Sequence, residues 1–304
     1  MRGPTIEANA LGRAAIFLTL LIGLSLGAVR AAQTPPPDTP QLPRTVRLYV
    51  FDCGVLNITA EGVERYHVTP AEVGETRMSV PCFLIAHPRG TLMWDLGVIP
   101  DAAVEGQAGG ARSNVKVTAA AVVTRTLKSQ LARIGYRPAA ITYFAISHAH
   151  IDHSANMNQF AASTWLARPA ERDFMWAENN PRVTPSFYSD LKNGKSIAMD
   201  KDEFDVFGDG QVVIKAAPGH TPAHQVLVLR LASTGRVMLS GDLYHYPQER
   251  TLRRAPPDNE FNVQQSAASR TMIEEYLRKT KTTLWIEHDF AANARLRKSP
   301  AYYD

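Results

Sequence analysis

The chain has 304 residues, of which 45% are hydrophobic and 20% are charged, and its formal net charge is +4. This composition excludes a disordered or fibrous protein, because the chain has enough apolar material for a core and little excess of charge. The basic residues are scattered rather than grouped, and this distribution does not favour nucleic acid as a partner.

The N-terminal segment is typical of an exported protein. An uncharged apolar stretch at 14–29 follows two arginines and precedes small residues. This pattern predicts a signal peptide over residues 1–31, and hence a periplasmic or secreted protein. A retained membrane anchor is the alternative, although a membrane span needs about 20 apolar residues. A proline-rich linker is predicted at 32–44, the folded domain at 45–304, and no further segment that crosses a membrane.

The apolar pattern in the rest of the chain predicts an α/β protein. In chain order it indicates strands at 46–51, 80–87 and 91–97, a helix at 118–134, strands at 141–147, 212–218, 225–231 and 236–242, a helix at 262–280 and a strand at 283–289. The strands at 80–87 and 91–97 flank a Pro-Arg-Gly turn, which predicts a hairpin. Hairpins that are followed by βα units favour two sheets with helices outside.

Cys53 and Cys82 both fall in or near the predicted N-terminal strands. Two cysteines are too few for a disulfide framework. A single disulfide between them is one possibility in an oxidising compartment, but buried thiols are the favoured interpretation.

Four candidate metal ligands lie within six residues, directly after a predicted strand: His148, His150, Asp152 and His153. Imidazole together with carboxylate is a ligand set typical of zinc, and this spacing suits a loop that wraps around a cation. Three further candidates follow later predicted strands: His220, Asp242 and His288. Because strand ends at one edge of a sheet bring distant side chains together, we expect all of these residues to form one metal site.

The order of these ligands resembles the full signature of the metallo-β-lactamase-fold hydrolases. Three stretches, 78–97, 132–156 and 218–225, are similar to the N-acyl-homoserine lactonase branch of that family. The resemblance implies a four-layer αβ/βα sandwich of the metallo-β-lactamase type. It also implies a dinuclear site at the edge of the sandwich, with two Zn²⁺ or another divalent metal.

The resemblance further implies how the ligands are divided. One ion would be held by His148, His150 and His220. The other would be held by Asp152, His153 and His288, with Asp242 bridging both ions. Asp95 would support a ligand from behind, and His224 would be structural.

Lactonases of this branch commonly have a tyrosine three positions after the bridging aspartate, and this chain has His245 there. His245 is therefore a catalytic candidate that would position the substrate carbonyl, and the flanking Tyr244 or Tyr246 is an alternative. Asp152 is expected to relay a proton to the leaving group.

The predicted function is that of an exported dinuclear zinc hydrolase that opens a lactone ring. Attack on the carbonyl by a hydroxide held between the metals is the implied mechanism, and N-acyl-homoserine lactones (quorum-quenching substrates) are the expected small-molecule partners. Hydrolysis of β-lactams and a non-catalytic metal-binding module are the alternatives. The oligomeric state is not predicted.

Overall fold

The computed structural model describes residues 41–116 and 119–304. The signal peptide predicted over 1–31 and the first part of the predicted linker lie outside the described residues. Within the two described ranges, no helix combines the length and the apolar character that a membrane crossing requires.

The strands of the described chain form two sheets. In chain order they are β1 (Arg47–Ile58), β2 (Met78–His87), β3 (Gly90–Trp94), β4 (Ala111–Lys116), β5 (Ala119–Val123), β6 (Tyr143–Ala145), β7 (Thr164–Ala167), β8 (Ser196–Ala198), β9 (Glu203–Asp205), β10 (Val212–Ala216), β11 (Gln225–Leu231), β12 (Gly235–Leu239), β13 (Thr283–Trp285) and β14 (Tyr302–Tyr303). The larger sheet has the order β4-β5-β1-β2-β3-β6-β7-β8, with β14 also paired to β1. The smaller sheet has the order β13-β12-β11-β10-β9.

Helices cover the outer faces of the two sheets. They are α1 (Ala60–Glu64), α2 (Pro70–Val73), α3 (Asp101–Val104), α4 (Leu127–Ala132), α5 (Ile151–Ser154), α6 (Pro169–Trp176), α7 (Pro247–Thr251), α8 (Val263–Thr280) and α9 (Phe290–Arg295). Short 3₁₀ turns lie at Pro138–Ala140, Met157–Phe160, Pro185–Phe187, Ser189–Leu191 and Gly241–Leu243.

The alternation of side chains along the strands creates the layers. In β1, Leu48 and Val50 belong to the core between the sheets, whereas Tyr49 and Phe51 belong to the core beneath the helices. This is the period of two that a strand buried on both faces requires. Each fully buried aliphatic or aromatic side chain contributes about 1.5–3 kcal/mol, and the central core therefore holds the two sheets face to face.

The outer face of the smaller sheet is covered by α8, where Ile273 and Leu277 pack with Val226 and Met238. The side chain of Asn262 accepts a hydrogen bond from the Gln265 amide and so begins this helix. Helix, sheet, sheet and helix thus follow one another in four layers, and the predicted αβ/βα sandwich is confirmed.

The helix predicted over 118–134 is wrong. Residues of the segment that the structure describes form β5, which pairs antiparallel with β1, and helix α4 begins only at Leu127. The hydroxyl of Thr126 accepts the Ser129 amide and marks the true start of the helix. Apolar residues at 121 and 123 fit a strand as well as a helix, and pairing with β1 decides between them.

The interpretation of the two cysteines as buried thiols is also wrong. Cys53 and Cys82 form a disulfide with a Cα–Cα distance of 5.8 Å. Strands β1 and β2 are adjacent and antiparallel, and both cysteines lie on the face beneath the helices. Neighbouring strands therefore bring the two sulfur atoms together although 29 residues separate them in the chain.

Candidate metal centre

The candidate ligands come from four loops that follow strands. His148 and His150 lie in the loop after β6, and Asp152 and His153 lie in the first turns of α5, which begins directly after His150. The other three ligands follow later strands of the smaller sheet: His220 after β10, Asp242 in the 3₁₀ turn after β12, and His288 after β13. The structure thus brings together all of the residues that the sequence singled out as ligands.

Two glycines allow these loops to approach one another. Gly219, beside His220, has φ +134°, and a Cβ there would lie 2.2 Å from the Ser266 amide nitrogen. Gly241, beside Asp242, has φ +47°, and a Cβ there would lie 2.6 Å from the Cβ of Ser147. Only glycine fits such positions without displacing the neighbouring chain.

The ligands form two groups with the division that the family resemblance implied. The first group contains His148, His150, His220 and Asp242, and the second contains Asp152, His153 and His288; within each group the ligand atoms lie within 4.8 Å of one another. In the first group, His150 Nδ1 lies 2.9 Å from His148 Nε2 and 3.0 Å from His220 Nε2. Three imidazole nitrogens that converge in this way suit a shared cation.

Asp242 lies between the two groups, with one carboxylate oxygen towards each. Its Oδ1 lies 3.0 Å from His288 Nε2 and 3.2 Å from His153 Nε2, whereas its Oδ2 lies 3.2 Å from His220 Nε2. Burial opposes ionisation of Asp242, but the surrounding imidazoles, His288 first among them, hold the pKa of its carboxyl well below its usual range. A carboxylate in this place can bridge two cations.

The chemistry of the donors fits zinc. His153 Nε2 and Asp242 Oδ1 are buried and have no hydrogen-bond partner among the described residues. Buried polar atoms without partners are costly, and a cation between the two groups would coordinate both. Imidazole nitrogen and carboxylate oxygen are common zinc ligands, and the donors of both groups fit that metal.

Side chains behind the ligands fix their orientation. The Ser147 amide donates to Asp95 Oδ1 at 2.6 Å, and Asp95 Oδ2 lies 3.3 Å from His153 Nδ1. Nδ1 of His288 donates to the Ser79 carbonyl oxygen at 2.7 Å, which directs its Nε2 towards the metal groups. Such partners determine which imidazole nitrogen is available to the metal.

His224 holds the backbone of Asp242, as its predicted structural role requires. Its Nδ1 donates to the Ala217 carbonyl oxygen, and its Nε2 accepts the Asp242 amide at 2.9 Å. Burial and the neighbouring His220 lower the pKa of His224 to about 3, so the ring is neutral and Nε2 can accept this bond.

Four buried carboxylates beside the site were missed by sequence reasoning: Glu171, Glu249, Glu260 and Glu287. Glu171 connects two ligand loops, because it accepts hydrogen bonds from the Ala149 amide and from the Thr221 hydroxyl. Three of them have no ligand-like spacing in the sequence, and Glu287 offers only its position beside His288 as a signal.

Glu260 contacts both a candidate ligand, His220, and the cavity over the ligand groups. Its carboxylate lies 3.1 Å from His220 Nδ1 and accepts a hydrogen bond from the Ser266 hydroxyl. Burial would raise the pKa of Glu260, but the His220 imidazole outweighs it and lowers the pKa to about 2. The anionic Glu260 therefore fixes the orientation of His220.

A cavity of about 350 Å³ opens over the two ligand groups. One part of its wall is apolar and consists of Leu56, Ile58, Met78, Ala119 and Ile151. The polar part includes Arg65, Tyr66, Arg182, His245 and Asn259, beside ligands from both groups. The cavity is thus large enough for a small amphipathic molecule, which could reach both ligand groups.

The catalytic candidates differ in where the structure places them. Asp152 and His245 line the cavity, and His245 Nε2 lies 3.1 Å from Asp242 Oδ2. Tyr244 is not brought to the cavity, because its hydroxyl donates to Glu274 and its ring packs under the Arg270 guanidinium. The predicted catalytic role of Tyr244 therefore conflicts with its position.

The chain matches known proteins over most of its length. The model of the metallo-beta-lactamase superfamily matches residues 76–279. The N-acyl homoserine lactonase AttM of Rhizobium radiobacter is 26% identical over 265 residues, which cover 85% of this chain and 98% of that protein. An N-acyl homoserine lactonase of a Bacillus species is 26% identical over 237 residues, covering 77% of this chain and 90% of that protein.

Solved structures have the same fold. An N-acyl homoserine lactone hydrolase with N-hexanoyl-L-homoserine bound at its catalytic metal centre superimposes with a TM-score of 0.70 at 20% identity, covering 85% of this chain and 99% of that one. The dizinc quorum-quenching lactonase AidC has a TM-score of 0.60 at 18% identity, over 86% of this chain and 95% of that one.

The match of the superfamily model extends from β2 to the end of α8, and it includes six of the seven candidate ligands. The remaining ligand, His288, follows β13 and completes the second group. The chain belongs to the metallo-beta-lactamase superfamily, has homologues in its N-acyl homoserine lactonase branch, and is a metal-dependent hydrolase.

Proposed function

We propose that this chain is an exported dinuclear zinc hydrolase that opens the ring of lactones, with N-acyl homoserine lactones as its substrates. The observation that carries the proposal is the pair of ligand groups that share Asp242 at the base of a cavity with an apolar wall. The lactonase homologues support the choice of substrate class.

The residues of the cavity have separate tasks in this proposal. The apolar wall around Ile58, Met78 and Ile151 binds the acyl chain of the substrate. Bound zinc would polarise the lactone carbonyl and lower the pKa of water to about 7. Asp152, whose Oδ2 lies 3.6 Å from His288 Nε2, relays a proton from the attacking water to the leaving oxygen of the ring.

His245 orients the carbonyl of the substrate. His245 lines the cavity, its Nε2 lies 3.1 Å from Asp242 Oδ2, and its backbone amide donates to the buried Glu249 at 2.7 Å. Because Glu249 also accepts the next amide, that of Tyr246, the loop that carries the imidazole is held on two sides. A group fixed in this way loses little entropy when it binds the substrate.

Replacement of His245 by phenylalanine should lower the rate of lactone hydrolysis by about 100-fold, because one hydrogen-bond donor to the reacting carbonyl is lost. Zinc content should not change, since His245 is outside both ligand groups. Steady-state kinetics together with metal analysis measure both effects.

His67→Phe is the matched control, because His67 contacts Ala255 and Asp258 outside the cavity. A rate for His245→Phe within about twofold of wild type would assign the positioning role to another group.

Export rests on the predicted signal peptide, and the Cys53–Cys82 disulfide supports it. Disulfides persist in the periplasm and outside the cell, whereas reducing systems keep most cytosolic thiols free. The intact mass of protein recovered from the periplasm tests this part of the proposal. Cleavage should remove residues 1–31, and a full-length mass would contradict it.

The substrate class is tested on the zinc-loaded protein with a panel of lactones and a β-lactam. We expect ring opening of N-hexanoyl and N-decanoyl homoserine lactones, measured by proton release, to exceed hydrolysis of a chromogenic cephalosporin by at least about 100-fold in kcat/KM. The corresponding N-acyl homoserine, which carries the same amide but whose ring is already open, serves as the blank. Faster turnover of the cephalosporin than of every lactone would replace the proposal by β-lactam hydrolysis.

A further inference from the structure

The phenol of Tyr66 is a polar group of the cavity to which neither the sequence pattern nor the ligand set assigns a role. Tyr66 follows α1 in the connection between β1 and β2, far in the chain from every candidate ligand. Its amide donates to the Val63 carbonyl oxygen at 3.0 Å, and Val63 is fully buried. The side chain therefore projects from an anchored turn into the cavity that it lines.

The ring of Tyr66 rests on the imidazole of His245. The two ring centroids are 4.3 Å apart, and the ring of Tyr246 meets Tyr66 edge-on at 5.6 Å. Aromatic rings at such separations pack favourably. This support on two sides holds the Tyr66 ring at the wall of the cavity, beside His245.

The hydroxyl of Tyr66 differs from those of the neighbouring tyrosines. The Tyr244 hydroxyl donates to Glu274, and the Tyr246 hydroxyl donates to the Thr76 carbonyl oxygen at 2.7 Å. The Tyr66 hydroxyl has no hydrogen-bond partner within residues 41–116 and 119–304. A phenol has a pKa of about 10 and therefore keeps its proton for donation at neutral pH.

We propose that Tyr66 is a catalytic residue whose hydroxyl donates a hydrogen bond to the carbonyl oxygen of the scissile ester, while its ring rests on His245. The inference depends on the proposed lactone hydrolysis and deepens it. Negative charge develops on this oxygen in the transition state, and a fixed donor stabilises it more than it stabilises the neutral ground state. The donor phenol would thus lie in the connection between β1 and β2, and not in the loop that follows the bridging aspartate.

Tyr66→Phe tests this inference, because it keeps the ring on His245 and removes only the hydroxyl. In the zinc-loaded protein we expect kcat for N-hexanoyl homoserine lactone to fall by about 100-fold while KM changes by less than about threefold, as for a bond made in the transition state. Zinc content and melting temperature should stay at their wild-type values, since the substitution removes no hydrogen bond among the described residues.

Tyr188→Phe is the matched control. It also removes one buried phenol hydroxyl, but that hydroxyl donates to the Met175 carbonyl oxygen at 2.6 Å, and Tyr188 does not line the cavity. The control should lose some thermal stability and keep its kcat. If the wild type is active and the kcat of Tyr66→Phe is within twofold of it, the inference is wrong although the proposed function stands. The same follows if the two variants lose kcat equally. A wild type inactive on every lactone would overturn the proposed function and the inference with it.

Discussion

Asp242→Ala is expected to reduce lactone hydrolysis on the order of 10³-fold, the largest effect of any single substitution in the site. Both carboxylate oxygens of Asp242 are lost, and each faces a different ligand group. Zinc content should fall from about two ions per chain to about one, because three imidazoles in the first group still suffice for one ion. Inductively coupled plasma mass spectrometry and steady-state kinetics on the same sample give both quantities.

Asp209→Ala provides the matched control for this substitution. Asp209 also pairs with a buried imidazole, that of His87 at 2.9 Å, but neither residue lines the cavity. The control should therefore keep its zinc and its rate while losing some stability. Unchanged turnover in Asp242→Ala, or two zinc ions retained by it, would contradict the bridging role.

Glu249→Ala is expected to lower the free energy of unfolding by about 3–5 kcal/mol, because it leaves a buried charge without its partner. Glu249 is fully buried and accepts a hydrogen bond from the Arg270 guanidinium at 2.7 Å. It also accepts the amides of His245 and Tyr246, which would be left without an acceptor. Urea unfolding followed by circular dichroism measures the loss.

The comparison for Glu249→Ala is Glu275→Ala, which breaks another ion pair, that between Glu275 and Lys279. Both partners of that pair are more than half exposed, and solvent-exposed pairs contribute about 0–1 kcal/mol. We expect the control to unfold close to wild type. Equal losses in the two variants would mean that the Glu249–Arg270 pair does not stabilise the loop.

The candidate site could be predicted from the sequence where its residues lie close together in the chain, or where they follow predicted strands in the order that the family resemblance implies. His148, His150, Asp152 and His153 have a spacing that few other functions explain. Tyr66 and Glu260 reach the same cavity from other loops, and a lone tyrosine or glutamate has no distinguishing pattern. Only the packing of the loops reveals such residues.

The fold shows the same division between local and non-local information. Helix α8 was predicted well, because its amphipathic period and its Asn262 cap are local features. The segment of β5 was predicted as helix, because its pairing with β1 joins residues more than 60 positions apart. The Cys53–Cys82 disulfide likewise depends on which faces of β1 and β2 the cysteines occupy.

The contact of Glu260 with both His220 and the cavity has a consequence for how metal and substrate bind. An ion held by His220 fixes that imidazole, and through it the carboxylate that lines the cavity. A metal ion and a substrate that contacts Glu260 would therefore stabilise the same arrangement of this carboxylate. Because a coupling free energy between two sites is reciprocal, such a substrate would lower the dissociation constant of the metal by the factor by which the metal lowers that of the substrate.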